Sequence, residues 1–188
     1  MSPHKILPLR LTRLFLVNSL VLLTVPMLLA ACDGNDIDID ELNAEALKHV
    51  KAVRASDSVA INKYIADSSF TTAQRQSSGL YIITRKPGTG SLPQVGQQVS
   101  VIYKGSFLNN RVFDQSRPDM TGRIVPLTFA LGRGQVIAGW DEGIGLMRKG
   151  QKAILLIPSS LAYGTSGAVN TIPPDTPLRF DVELTDFN

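Results

Sequence analysis

Leu178, Phe180, Val182 and Leu184 alternate without a break with Arg179, Asp181, Glu183 and Thr185. Period two is the repeat of a strand with one buried and one solvated face. Of all the patterns in the chain, this one most limits the fold. Val99, Val101 and Tyr103 alternate with Ser100, Ile102 and Lys104, and Leu127, Phe129 and Leu131 repeat the pattern. Residues 80–84 and 153–157 are apolar and β-prone. Between these strands lies one helical period. Ile137, Trp140, Ile144 and Met147 share a face across about residues 138–147. Gly143 and Gly145 each weaken such a helix by about 1 kcal/mol relative to Ala, so packing must hold it. The expected fold is α+β: an antiparallel sheet curled around one short amphipathic helix.

The connections carry turn chemistry. Pro87-Gly88-Thr89-Gly90 is a turn, and Asn109-Asn110 turns the chain into Val112-Phe113-Asp114. Residues 115–125, with Pro118 and Gly122, read as an exposed loop, and 161–177 as a longer one. Upstream, short amino-terminal helices are expected. Residues 41–54 place Leu42, Ala46, Val50 and Val53 on one face. Ser56 or Asp57 then caps a second helix reaching Ala66, with Ile61, Tyr64 and Ile65 as its apolar side. This modest stripe docks either on its own domain or on a second copy, a homodimer through residues 41–66. Residues 71–78 read as a polar link.

The chain starts differently. Lys5, Arg10 and Arg13 precede a largely apolar run over residues 14–31, which ends Leu29-Ala30-Ala31-Cys32. A basic start, an apolar middle and small residues at the end define a secretory signal. The cysteine directly after Ala-Ala resembles the bacterial lipoprotein signal, which implies cleavage before Cys32 and lipidation there. A plain membrane anchor is the alternative, since the run is about long enough to span a bilayer. Cys32 is the only cysteine, so it has no disulfide partner. The expected organisation is therefore a signal over 1–31, a tether and helical appendage over 32–78, and a domain over 79–188. The aspartates of residues 33–40 make a solvated tether. Lipid at Cys32 would make the protein membrane-bound in the bacterial cell envelope. Of 19 Lys+Arg and 16 Asp+Glu, three basic residues and no acidic ones lie in the signal. The chain from Cys32 onward is formally neutral, so charge gives no argument for nucleic acid.

Several chemistries are excluded. The two histidines are His4 and His49, both outside 79–188. That domain can hold no Ser-His-Asp or Cys-His arrangement and no zinc site built from His and Cys. There is no dinucleotide fingerprint and no P-loop. Asp141-Glu142 are adjacent on a helix and do not face each other; at its start they suit the helix dipole. What remains is an aromatic and aliphatic stretch from Val136 to Leu184. A site built from it is an apolar pocket that works by shape and desolvation.

The residues then resemble a known family. V-S-V-I-Y-K-G at 99–105, V-F-D-Q-S at 112–116 and L-G-R-G-Q-V-I-A-G-W-D-E-G at 131–143 come in order. L-A-Y-G at 161–164, I-P-P at 172–174 and F-D-V-E-L at 180–184 complete the series. Residues 79–187 are similar to the FKBP-type peptidyl-prolyl cis-trans isomerases. The resemblance implies a prolyl-isomerase pocket of Tyr103, Phe113, Asp114, Val136, Ile137, Trp140, Tyr163, Ile172 and Phe180. It implies Trp140 at the floor, Asp114 at the wall, the Tyr163 hydroxyl toward a substrate carbonyl, and an Ile137 backbone N–H toward the ligand. Leu127 and Thr171 are substrate-contact positions where this chain departs from the common residue. Residues 168–171 replace a stretch that holds a histidine in some members. The loop between Tyr163 and Ile172 is too short for the chaperone insert some relatives carry. The partners implied are proline-containing segments of exported proteins and the macrolide ligands of the family. No cofactor and no metal is implied.

An X-Pro bond turns slowly because amide resonance sets a barrier of roughly 18–20 kcal/mol. The twisted amide loses conjugation and tolerates a dry site better than the planar one. A preference for it raises the rate without any acid, base or cofactor. By pattern alone, Trp140, Phe180 and Tyr103 are core residues, and Asp114 either caps a turn or pairs with Arg117. A binding module would hold a partner's proline loop in the same pocket with little turnover, whereas a holdase would use a dimer of the amino-terminal helices and the cleft they form.

Overall fold

The computed structural model describes residues 39–188. The signal at 1–31, Cys32 and most of the tether lie outside the described residues. The elements are α1 (Ile39–Asp67), β1 (Ala73–Arg75), β2 (Tyr81–Lys86), β3 (Gln98–Phe107), β4 (Val112–Gln115), β5 (Leu127–Ala130), α2 (Ala138–Gly145), β6 (Lys152–Ile157) and β7 (Leu178–Phe187). Short 3-10 turns at Ser159–Leu161 and Gly164–Ser166 come after β6.

The strands form one antiparallel sheet in the order β1-β2-β6-β7-β3-β4, with β5 also paired to β3. Alternation decides which side chains face α2. Leu178, Phe180, Val182 and Leu184 of β7 are all buried, as are Val99 and Val101 of β3. They meet Trp140, Ile144 and Met147 in the main core. The glycines of α2 explain its close seat. A Cβ on Gly143 would lie 2.8 Å from Leu155 Cδ1, and one on Gly139 would strike Ile157. The helix loses propensity there and gains contact with the sheet. Asp141 does more than face the helix dipole. Its carboxylate accepts the Gly132 N–H at 2.8 Å and the Gly134 N–H at 3.1 Å, which fastens the turn between β5 and α2.

Tyr81-Ile82-Ile83 of β2 and residues 153–157 of β6 read as apolar runs because both their faces are covered. Ile82 and Leu155 enter the main core, whereas Tyr81, Ile83, Ile154 and Leu156 point to the other face. There they pack against Ile61 and Tyr64 of α1. The expected pair of amino-terminal helices is a single helix of 29 residues that begins inside the expected tether. Asp57 caps nothing. It is buried, and its Oδ2 accepts the Ser159 N–H and hydroxyl, both at 2.7 Å. Of the two expected stripes, Ile61 and Tyr64 dock on the sheet. Leu42 and Val50 of the other remain exposed. The polar link at 71–78 contains β1, a three-residue strand paired with β2.

Candidate functional site

Trp140 fixes the centre of the site. It sits in the first turn of α2 and is buried beneath the sheet. Tyr103 from β3 meets its ring edge-on, with centroids 5.0 Å apart. Phe180 from β7 meets it at 5.3 Å and 87°, and Phe113 from β4 meets Phe180 at 5.6 Å and 85°. Edge-to-face pairing suits the ring quadrupoles. Gly105 makes room for this set, since a Cβ there would lie 2.7 Å from Phe113 and 2.8 Å from Phe180.

These rings enclose an open cavity of about 180 Å³ lined by Tyr103, Phe113, Asp114, Leu127, Gln135, Val136, Ile137, Trp140, Tyr163 and Phe180. That is below the ~300–1,000 Å³ usual for drug-sized ligands, so it suits one compact apolar group. Eight of the nine catalytic positions expected from sequence converge here, and Leu127 joins them. Ile172 and Thr171 do not line this cavity. Ile172 is buried in the main core, and both residues line a separate depression with Arg111 and Val169. Gln135 is a lining residue that the sequence patterns do not single out. Its Oε1 accepts the Ala130 N–H at 2.9 Å. Its place directly before Val136 is the one available signal.

The polar groups are few. The Tyr103 hydroxyl donates to Asp114 Oδ2 at 2.6 Å, and Asp114 Oδ1 accepts the Gln115 N–H at 2.8 Å. Asp114 therefore pairs with Tyr103 and not with Arg117. Burial, then the bond to Asp114, pushes the Tyr103 phenol up to about 12. Burial also raises the Tyr163 phenol, with the Asp114 charge adding to it. Both hydroxyls thus keep their protons near neutral pH and can donate. The N–H of Ile137, at the N-cap of α2, makes no hydrogen bond among the described residues. Trp140 Nε1 is buried with no hydrogen-bond partner among the described residues.

The loop that carries Tyr163 is pinned. Asp175 N–H donates to Gly164 O at 2.9 Å, and Ala168 and Ile172 exchange backbone bonds at 2.8 and 2.9 Å. Gly167 has φ of 63°, and a Cβ there would lie 2.9 Å from Pro174 N. Only glycine fits that approach.

An antiparallel sheet wrapped on one helix, with a small ring-lined cavity at the helix start, defines a binder of one compact apolar group. The comparisons make the class specific. A family model described as FKBP-type peptidyl-prolyl cis-trans isomerase matches residues 90–185. FK506-binding protein 1 of Dictyostelium discoideum is 44% identical over 109 residues, which cover 58% of this chain and 98% of the relative. An FK506-binding protein of Neisseria meningitidis is 45% identical over 106 residues, covering 56% of this chain and 94% of the relative. The crystal structure of a peptidyl-prolyl cis-trans isomerase from Pseudomonas syringae aligns with a TM-score of 0.62 at 31% identity, covering 73% of this chain and 95% of that one. The chain belongs to the FKBP-type peptidyl-prolyl cis-trans isomerase family.

Proposed function

We propose that this protein is a lipid-anchored prolyl isomerase of the bacterial cell envelope that accelerates X-Pro isomerisation in exported proteins. The observation that carries the catalytic reading is the set of rings around Trp140, closed by two protonated phenols. The proline ring sits on Trp140 between Phe180, Phe113 and Tyr103. The Ile137 N–H and the Tyr163 hydroxyl lie toward the client carbonyls. Val136 and Leu127 complete the apolar wall, while Asp114 holds Tyr103. Ile172 acts from behind the loop, and Thr171 contacts only longer ligands. The planar amide loses its hydration on entry, and the twisted amide needs less, so the barrier falls. Each 1.36 kcal/mol of that preference gives about tenfold in rate. Macrolide ligands of the family would compete for the same cavity.

The envelope assignment rests on the sequence around Cys32, which a mature diacylglyceryl cysteine in mass spectrometry would support. Equal membrane retention of Cys32→Ala through an uncleaved signal would favour a plain anchor. The domain boundary proposed at 79 rests on where the family resemblance begins. Pairing with a second copy through residues 41–66 rests on Leu42, Leu47 and Val50, which stay exposed on α1, and light scattering reads it directly. Acceleration of a short X-Pro peptide separates the isomerase from a binding module, and aggregation suppression by the full chain tests the holdase alternative.

A further inference from the structure

On the face of the sheet that carries α1, a second cavity of about 250 Å³ opens between α1, β1, the turn into β2 and the 3-10 turn after β6. It shares no residue with the ring-lined cavity. Arg54 and Ser58 both reach it from α1 because residues four apart share a helix face. Arg75 enters from β1, Ser77 from the turn and Ser160 from the 3-10 turn. Ile61, Tyr81 and Pro158 give it an apolar wall, and no carboxylate lines it.

These polar groups have few bonds elsewhere. Arg54 makes no ion pair and no hydrogen bond among the described residues. Arg75 makes no ion pair among them either. Its guanidinium carbon lies 5.9 Å from the centre of the Tyr81 ring, and the Tyr81 hydroxyl donates to Asn62 Oδ1 at 2.8 Å. The ring is thus fixed, and its π face attracts the cation. The Ser77 and Ser160 hydroxyls are unbonded among the described residues. Ser58 Oγ accepts from Asn62 Nδ2 at 3.5 Å, which leaves its own proton to donate. Ser78 also lines the cavity, but its hydroxyl donates to Glu142 Oε1 at 2.8 Å. The Asp57 carboxylate, next to Ser58 in the chain, accepts from Ser159. Neither Glu142 nor Asp57 pairs with an arginine.

We propose that this cavity binds a phosphate group, carried by a small soluble molecule or by a lipid headgroup. Two guanidiniums that share one cavity repel each other, and a phosphate near its dianion form cancels that charge. Each guanidinium fork matches two phosphate oxygens, and the serine hydroxyls donate to the rest. A carboxylate, with two oxygens and one charge, leaves part of this donor set unused. The cavity is larger than the ring-lined one, about 250 against 180 Å³, so the carrier has room beside Ile61 and Tyr81. The donors come from α1, β1 and the 3-10 turn. A bound phosphate therefore fastens α1 to the sheet and stabilises the folded chain.

The test titrates three compounds into the full chain by calorimetry and follows melting beside chloride at matched ionic strength. They are inorganic phosphate, glycerol 3-phosphate and glycerophosphoglycerol, a diester like that of a lipid headgroup. The parent is compared with Arg54→Gln and with Arg75→Gln. We expect saturable one-to-one binding of glycerol 3-phosphate and a rise in Tm of about 3 °C or more at ten times its Kd. Each variant should bind about tenfold more weakly or worse and lose the rise. Arg54 makes no polar contact in the fold, so Arg54→Gln should keep the parent's Tm in chloride and its turnover of a short X-Pro peptide. A monoester that binds more tightly than the diester assigns a soluble carrier; a diester that binds as tightly or better assigns a lipid headgroup. No saturable binding of any of the three up to about 10 mM would overturn the proposal. So would binding that both variants retain in full, which would place the phosphate elsewhere.

Discussion

Phe180 is held between two rings, Phe113 and Trp140, and is almost wholly buried. Phe180→Tyr puts a hydroxyl into that dry contact at a cost of about 1–3 kcal/mol without a partner. Asp114→Leu keeps the branching at Cγ, with a bulkier side chain, and leaves the Tyr103 hydroxyl without its acceptor. Trp140→Leu removes the floor and three ring contacts, to Tyr103, Phe129 and Phe180. We expect each to lower kcat/KM on a short X-Pro peptide on the order of tenfold. Trp140→Leu should also lower thermal stability, so melting must be measured beside turnover. Three folded variants that work at the parent rate would refute the pocket assignment. Periodicity alone cannot separate the two roles of Trp140. It packs with Ile144 and Met147 in the core and also forms the cavity floor. Gln135 is marked in the sequence only by its place directly before Val136, because a lone glutamine in a turn carries no periodic signal.

At the scale of elements, α2 is legible because its apolar residues repeat every three to four positions. Its glycines read as a weakness in the sequence and as close contact with Ile157 and Leu155 in the fold. α1 reads as two helices because Ser56-Asp57 has the chemistry of a cap. A buried carboxylate bonded to Ser159, distant in sequence, has no local signature. Residues 117–125 read as loose loop because Pro118 and Gly122 mask a small hairpin. Its Val125 N–H donates to Arg117 O at 3.0 Å, and Asp119 Oδ1 ties the tip by accepting the Thr121 and Arg123 N–H groups. Ile61 is almost fully buried on the back of the sheet, so Ile61→Ala should cost about 2–5 kcal/mol in denaturant melts. Burial raises the Asp57 carboxyl above its usual value of 3.8, although its bonds to Ser159 oppose this. The folded protein then holds that proton more tightly than the unfolded chain. The contribution is fully present below 3.8 and is lost as pH rises through the raised value. Asp57→Asn should remove this loss, giving a flatter stability profile over that window. An unchanged profile would mean Asp57 does not titrate with unfolding.

For the molecule as a whole, the sheet has two jobs. One face wraps α2 and builds the cavity, and the other carries α1. Every residue that lines the cavity comes from Tyr103 to Phe180. A fragment from Ser78 to Asn188 should therefore fold cooperatively and keep most of its turnover on short peptides. It should also melt at lower temperature than the full chain, because it bares Tyr81, Ile83, Ile154 and Leu156. Failure of the fragment to fold would make α1 part of the domain core. Turning the bond by desolvation alone, with no proton transferred, leaves a clear kinetic mark. That mark is read from the catalysed isomerisation rate of a short X-Pro peptide, followed by NMR exchange between about pH 6 and 8, using a His49→Gln protein. His49 Nε2 lies 3.2 Å from Asp175 Oδ2 on the loop beyond Tyr163, so its replacement removes the one histidine among the described residues. We expect clear acceleration that stays nearly flat across the range, since both phenols titrate far above it. No acceleration, or a steep dependence with a midpoint inside the range, would rule out desolvation as the source of the rate.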